Sequence, residues 1–167
     1  EINFLQAAIN PAYYDYDGNG NAILNPDYLI SADPVTRTVD GKDQLVVTLK
    51  LNPKAVWNDG RVIGADDWIA PWKALNGSDP DFLPAFTDGW DRITSIEAGA
   101  TQQDVVITFG STYPDWTSVV SGGPLRAEGA ATPAEFNEGW QEYKDEYFTG
   151  PFQVTSWDKT SGTVVME

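Results

Sequence analysis

Carboxylates alternating with small turn residues can cage a calcium ion, and the stretch DYDGNG at residues 15–20 begins in that way. Asp15, Asp17, Asn19 and Gly20 fit the opening of the D-x-[DN]-x-[DN]-G pattern. That pattern closes its oxygen shell with a bidentate carboxylate at the twelfth position. Here the twelfth position is Pro26, which has no side-chain oxygen. Prolines in INPAYY and AILNPDYL also deny the loop its two flanking helices. Asp-Gly and Asn-Gly pairs between apolar segments instead favour a hairpin turn, because glycine takes positive φ without strain. A hairpin is expected here, and no metal.

Paired carboxylates could also serve as acid and base on a glycosidic bond, with tryptophan faces holding the sugar. The candidates are Asp66 with Asp67, and Asp88 with Asp91 around Trp90. The first two are adjacent at a helix start, where the helix dipole accounts for both; the second two read as turn residues. The chain has no cysteine and no histidine, which removes thiolate, Ser-His and Cys-His catalysis and nearly all zinc chemistry. The glycines of VVSGGPL (119–125) come without the lysine and spacing of a phosphate loop. No enzyme and no cofactor is expected.

What must position these residues is one domain. The 167 residues suffice for a single well-buried unit, and 41% apolar with 13% aromatic content argues for a packed core. Ten basic against 25 acidic residues leave a net charge of −15, a field that repels phosphate backbones and anionic lipid. Nucleic acid is therefore not an expected partner. No run of about 18 apolar residues marks a membrane span. The chain starts at EINFLQAAI and ends inside the strand pattern GTVVME, so a piece of something larger is expected.

Alternation in QLVVTLKL (44–51) places Leu45, Val47, Leu49 and Leu51 on one face of a strand, with VDGKD (39–43) as the preceding turn. Residues 91–99 and 103–109 read as a hairpin, and PFQVTSW with GTVVME as another around DKTSG. A helix is expected over residues 65–76, with Trp68, Trp72 and Leu75 on one face and a kink at Pro71. A second opens at TPAEF, where Thr132, Pro133 and Glu135 form a capping box. Phe136, Trp140, Tyr143 and Tyr147 continue it at helical spacing and read as a core stripe. The fold class is α+β, with mixed or antiparallel sheets and a few helices.

Three segments resemble a known family when taken in order. DYDGNGNAILNPDYLIS is a turn leading to an extended run. LVVTLKLNPKAVWNDGRVIGADDWIAPWKAL is a strand, a Trp-x-Asp-Gly turn and an Asp-Asp helix. TGPFQVTSWDKTSGTVVME is a Thr-Gly-Pro-aromatic corner and a hairpin. Together they resemble the bacterial extracellular solute-binding proteins of family 5, which serve peptide and nickel ABC transporters. Trp57, Asp59 and Gly60 match the turn, Ala65 and Asp67 the helix start, and Gly150, Pro151 and Phe152 the corner. Asn58, Gly64 and Pro71 depart from the common pattern and point to a divergent, actinobacterial-type member.

The resemblance implies a periplasmic-binding-protein-like (type II) fold in which two lobes close over a ligand. Residues 1–167 would cover part of lobe I plus its inserted domain, with the second lobe absent. It implies the substrate-binding component of a peptide ABC transporter, extracellular and attached to the cell envelope as a lipoprotein. Its partners would be a peptide ligand and an ABC permease; membrane contact would come only through a lipid anchor outside this chain, and a monomer is expected. The family motif residues are architectural. Loose alignment puts Phe82, Phe86, Ser121 and Gly122 on the ligand side, although both phenylalanines also suit a core and the glycine a loop. Two other readings remain: an envelope lipoprotein domain with a regulatory, glycolipid-binding or protein-binding role, and a carbohydrate-binding module with a row of exposed tryptophans.

Overall fold

The computed structural model describes residues 8–10 and 12–167. Most of the opening EINFLQAAI, with its expectation of a cut start, lies outside the described residues, as does Pro11 of INPAYY.

DYDGNG forms the expected hairpin between β1 (Tyr14–Tyr16) and β2 (Ala22–Leu24). Asp17 shapes it: its carboxylate accepts the N–H groups of Asn19 and Asn21 and the amide of Asn21. Those donors, Asn21 foremost, hold its pKa below the usual carboxylate value.

The centre is an antiparallel sheet ordered β3 (Leu29–Val39), β4 (Lys42–Leu51), β6 (Asp104–Phe109), β5 (Ile93–Ala98). Cross-strand pairing sets Leu45 against Phe109, Val47 against Ile107 and Leu49 against Val105. Val47, Leu49, Leu51, Val105, Ile107 and Phe109 are fully buried. Side chains of this size each contribute about 1.5–3 kcal/mol relative to exposure. The expected strands and hairpins all form, and β3 runs further than its sequence suggests, through Asp33 and Pro34. It lies at the sheet edge, where a proline without an N–H is tolerated. Asp40 and Gly41, both at positive φ, close the β3–β4 hairpin.

Helix α1 (Asp66–Leu75) lies against this core with Trp68 fully buried and Trp72 and Leu75 packed at its margin. It continues through Pro71, in keeping with the span read from the sequence. Pro71 gives up the bond to the Asp67 carbonyl but is itself buried. A short α2 (Trp116–Val120) follows β6.

Helix α3 (Pro133–Glu138) starts as read, with the Thr132 hydroxyl accepting the Glu135 N–H at 3.2 Å. It stops after six residues rather than continuing to Tyr147. A 3-10 turn at Gly139–Gln141, an extended step and a second 3-10 turn at Asp145–Tyr147 replace the rest. Glu135 does not reach back to its cap; it pairs with Lys144 and accepts from Tyr147, drawing the later residues across the helix end. The aromatic stripe is consequently not core: Phe136, Trp140, Tyr143 and Tyr147 are all half-buried. A terminal hairpin, β7 (Val154–Asp158) with β8 (Thr163–Met166), completes the described chain. No described helix is long and apolar enough to cross a membrane.

Candidate functional site

The Trp-x-Asp-Gly turn is built by its own backbone. Gly60 N–H donates to the Trp57 carbonyl at 2.8 Å, and Gly60 takes φ +86°, which a side chain would resist. Asp59 accepts the Arg61 N–H at 3.0 Å and locks the tip. This brings Trp57, Asp59 and Arg61 over the start of α1, where Asp67 has no solvent exposure.

Asp67 does far more than face a helix dipole. Its two oxygens accept from the Trp57 indole, from both terminal nitrogens of Arg61, and from the backbone N–H groups of Gly64 and Ala127. A buried anion is tolerated only with such compensation. A second arginine, Arg126, is 6% exposed. It donates to Asp59 at 2.8 Å, to Glu128 at 2.9 Å and to the Glu146 carbonyl at 2.6 Å. The two guanidinium groups lie 5.9 and 5.8 Å from the Trp57 ring. Arg126, then its neighbours, lowers the Asp59 pKa to about 2. Burial works against the Arg126 charge, yet Asp59 and Glu128 together outweigh it and hold the guanidinium protonated. Sequence reading missed Arg126 and Glu128 because the groups they reach in the turn, Asp59 and Arg61, are 67 residues away, and their own pairing two residues apart follows no motif.

The Thr-Gly-Pro corner docks beside this cluster. Thr149 donates its hydroxyl to the Val56 carbonyl at 2.6 Å and Tyr28 donates to the Thr149 carbonyl at 2.6 Å. Gly150 N–H donates to the Ile9 carbonyl at 2.7 Å. Phe152, beyond Pro151, stays 46% exposed.

Among the described residues, three concavities beside this frame stand out. The most apolar, of about 470 Å³, lies between residues 140–148 and the terminal hairpin, lined by Trp140, Tyr143, Tyr147, Trp157, Val164 and Met166. A polar hollow of about 380 Å³ has Tyr14, Tyr16, Asp115 and Ser121 in its wall. An open groove of about 650 Å³ runs between α1 and residues 127–131, with Phe82 at one end. Of the residues placed on the ligand side, Phe82 and Ser121 thus line different concavities. Phe86 projects into solvent and Gly122 is exposed with open space around it.

The described carboxylates whose pKa departs from the ordinary value, such as Asp17, Asp59 and Glu135, are all shifted down. A general acid for glycoside cleavage needs the opposite shift. The row of exposed tryptophans that a carbohydrate module needs is not formed either. Trp57 and Trp68 are buried, and Trp72 and Trp140 half-buried.

The profile of the bacterial extracellular solute-binding proteins, family 5 Middle, matches residues 33–167. The chain belongs to this family. It is 30% identical over 168 residues to the oligopeptide-binding protein OppA of Mycobacterium tuberculosis, covering 99% of this chain and 27% of OppA. It thus spans about a quarter of that relative's length. It is also 32% identical over 93 residues to a probable monoacyl phosphatidylinositol tetramannoside-binding protein, LpqW, of the same species. That match covers 56% of this chain and 13% of LpqW. Among solved structures, the periplasmic EDTA-binding protein EppA superposes with a TM-score of 0.75 at 27% identity, covering 92% of this chain and 29% of EppA. The oligopeptide-binding protein AppA of Bacillus subtilis, in complex with a nonapeptide, gives 0.69 at 17% identity, covering 93% and 29%.

Proposed function

We propose that this chain is part of the extracellular substrate-binding component of a peptide ABC transporter. It captures ligand without making or breaking a bond. The observation that carries this reading is the similarity to OppA along nearly the whole chain. Residues 1–167 form part of lobe I plus the inserted domain, and the ligand is enclosed when a second lobe closes over it by a hinge motion. Phe82, Phe86, Ser121 and Gly122 are the contacts this part supplies, and the rest of the cleft comes from the other lobe. The full protein acts as a monomer at the cell envelope, held by a lipid anchor, and delivers peptide to a permease.

Native mass spectrometry of the full-length protein, purified without denaturation, tests this. A co-purifying peptide mass on the full-length protein and none on residues 1–167 supports the reading. Micromolar peptide binding by residues 1–167 alone contradicts the shared cleft. The similarity to LpqW favours a second reading, an envelope lipoprotein that binds a glycolipid or a protein in a regulatory role. A glycolipid mass on the full-length protein would select it.

A further inference from the structure

The segment between α1 and β5 carries two large apolar side chains into solvent, Leu83 at 72% and Phe86 at 63% exposure. Such residues on a long connection ordinarily sample many directions, yet this connection is fastened beside them. The Leu83 N–H donates to Oδ1 of Asn137 at 2.9 Å, and Nδ2 of Asn137 donates to the Asp81 carbonyl at 2.9 Å. One carboxamide, more than 50 residues further along the chain, therefore clamps the backbone on both sides of Phe82. Phe82 itself is half-buried at the groove beside α1 and meets the neighbouring Phe136 edge to face, with centroids 5.6 Å apart. The Asp81 N–H donates to Asp79 Oδ1 at 3.0 Å, which ties the near end. Phe82 is anchored, and Leu83 is turned outward as its consequence.

We propose that Asn137 is the positioning residue for the ligand-facing loop 81–86. It touches no ligand itself but fixes the direction in which Leu83 and Phe86 are presented. This rests on the reading above that the loop faces the ligand. Asparagine suits the task because one planar group offers both an acceptor and a donor. Aspartate keeps the acceptor for Leu83 but turns a second oxygen on the Asp81 carbonyl. Alanine removes both contacts. The groups released are at the surface, so water replaces the lost bonds and the fold is little affected. What changes is the ordering that ligand binding must then supply.

The test uses the full-length protein and its Asn137→Ala and Asn137→Asp variants, with trileucine and triserine as probes in calorimetric titrations. Amide exchange at Leu83 is followed in parallel. Expected for Asn137→Ala is about tenfold weaker trileucine binding. Triserine binding should hold within about twofold, the melting temperature within about 2 °C, and Leu83 exchange should speed up. Asn137→Asp should fall between. Equal weakening of both peptides, or unchanged trileucine binding, overturns the proposal. If the wild type binds neither peptide, the transport reading fails separately. Faster Leu83 exchange would then leave the clamp standing and remove its ligand-facing role, and unchanged exchange would remove both.

Discussion

Asp67 Oδ2 accepts the indole N–H of Trp57 at 3.1 Å across the start of α1, and both side chains are at most 1% exposed. The bond joins the turn motif to the helix motif that follows it. With five donors converging on it, Asp67 is the point where the turn, the helix start and the Ala127 segment meet. Asp67→Asn removes the charge and aims an amide N–H₂ at groups that are themselves donors. A loss of about 3 kcal/mol in unfolding free energy is expected, as for a broken buried pair. Urea denaturation followed by tryptophan fluorescence measures it; a loss under about 1 kcal/mol would show that the site relaxes around the amide.

Asp59 titrates in a way that acid should expose. Arg126 first, then the Arg61 backbone N–H, lowers its pKa to about 2 in the folded chain. A carboxylate with a lowered pKa contributes stability that is complete above its unfolded value, about 3.9. That contribution is lost as pH falls toward the folded value. The side chain is 38% exposed, so solvent screening keeps the contribution small. The stability gap between wild type and Asp59→Asn should stay constant above about pH 5 and narrow between about pH 5 and pH 2. Urea midpoints across that range decide it, and a constant gap down to pH 2 would contradict the Asp59–Arg126 pairing.

The parts of this molecule that are legible in the sequence are those whose signals are local. Alternating leucines and valines in 44–51 predict β4 because a strand has period two and one face must leave water. The Asp-Gly and Asn-Gly pairs predict their hairpin through backbone freedom at single residues. The Trp57 turn, the Asp67 helix start and the Gly150 corner stand out because each carries its own short pattern. The long reach of β3 is hidden by Pro34, which is acceptable only at an edge strand, and edge position is a property of the sheet. The early end of α3 is equally illegible, because Lys144 and Tyr147 fold back onto Glu135. Arg126 and Asn137 act on groups more than 50 residues away, and no spacing rule reaches so far.

Two glycines should respond in opposite ways to an added methyl group. Gly150 lies against the backbone of Ala8 and Ile9, and a Cβ there would overlap main-chain atoms that cannot swing aside. Gly150→Ala should destabilise by about 3 kcal/mol or more and loosen the Thr149 corner. Gly122 has open space and no positive φ, so Gly122→Ala should leave the melting temperature within about 2 °C. Differential scanning calorimetry on the pair separates them. Any loss of ligand binding by Gly122→Ala in the full-length protein would then report on the ligand side and not on folding.

Removing Arg126 should cost less than neutralising Asp67, although Arg126 makes more contacts with charged groups. The reason lies in what each change leaves behind. Arg126→Met keeps most of the stem volume beside Trp57 and takes a partner from Asp59 and Glu128, whose side chains are 38% and 53% exposed, while Glu128 keeps its pair with Arg61. Water reaches both, so neither becomes an uncompensated buried charge. What remains is the Glu146 carbonyl, which loses its guanidinium donor, and a lost cation–π contact with Trp57. The sum is a loss of about 1–2 kcal/mol, against about 3 kcal/mol for Asp67→Asn. Urea denaturation of both variants at neutral pH tests the ranking. If Arg126→Met proves the more damaging, the arginine rather than the buried carboxylate organises the cluster. The double variant should then be no worse than Arg126→Met alone.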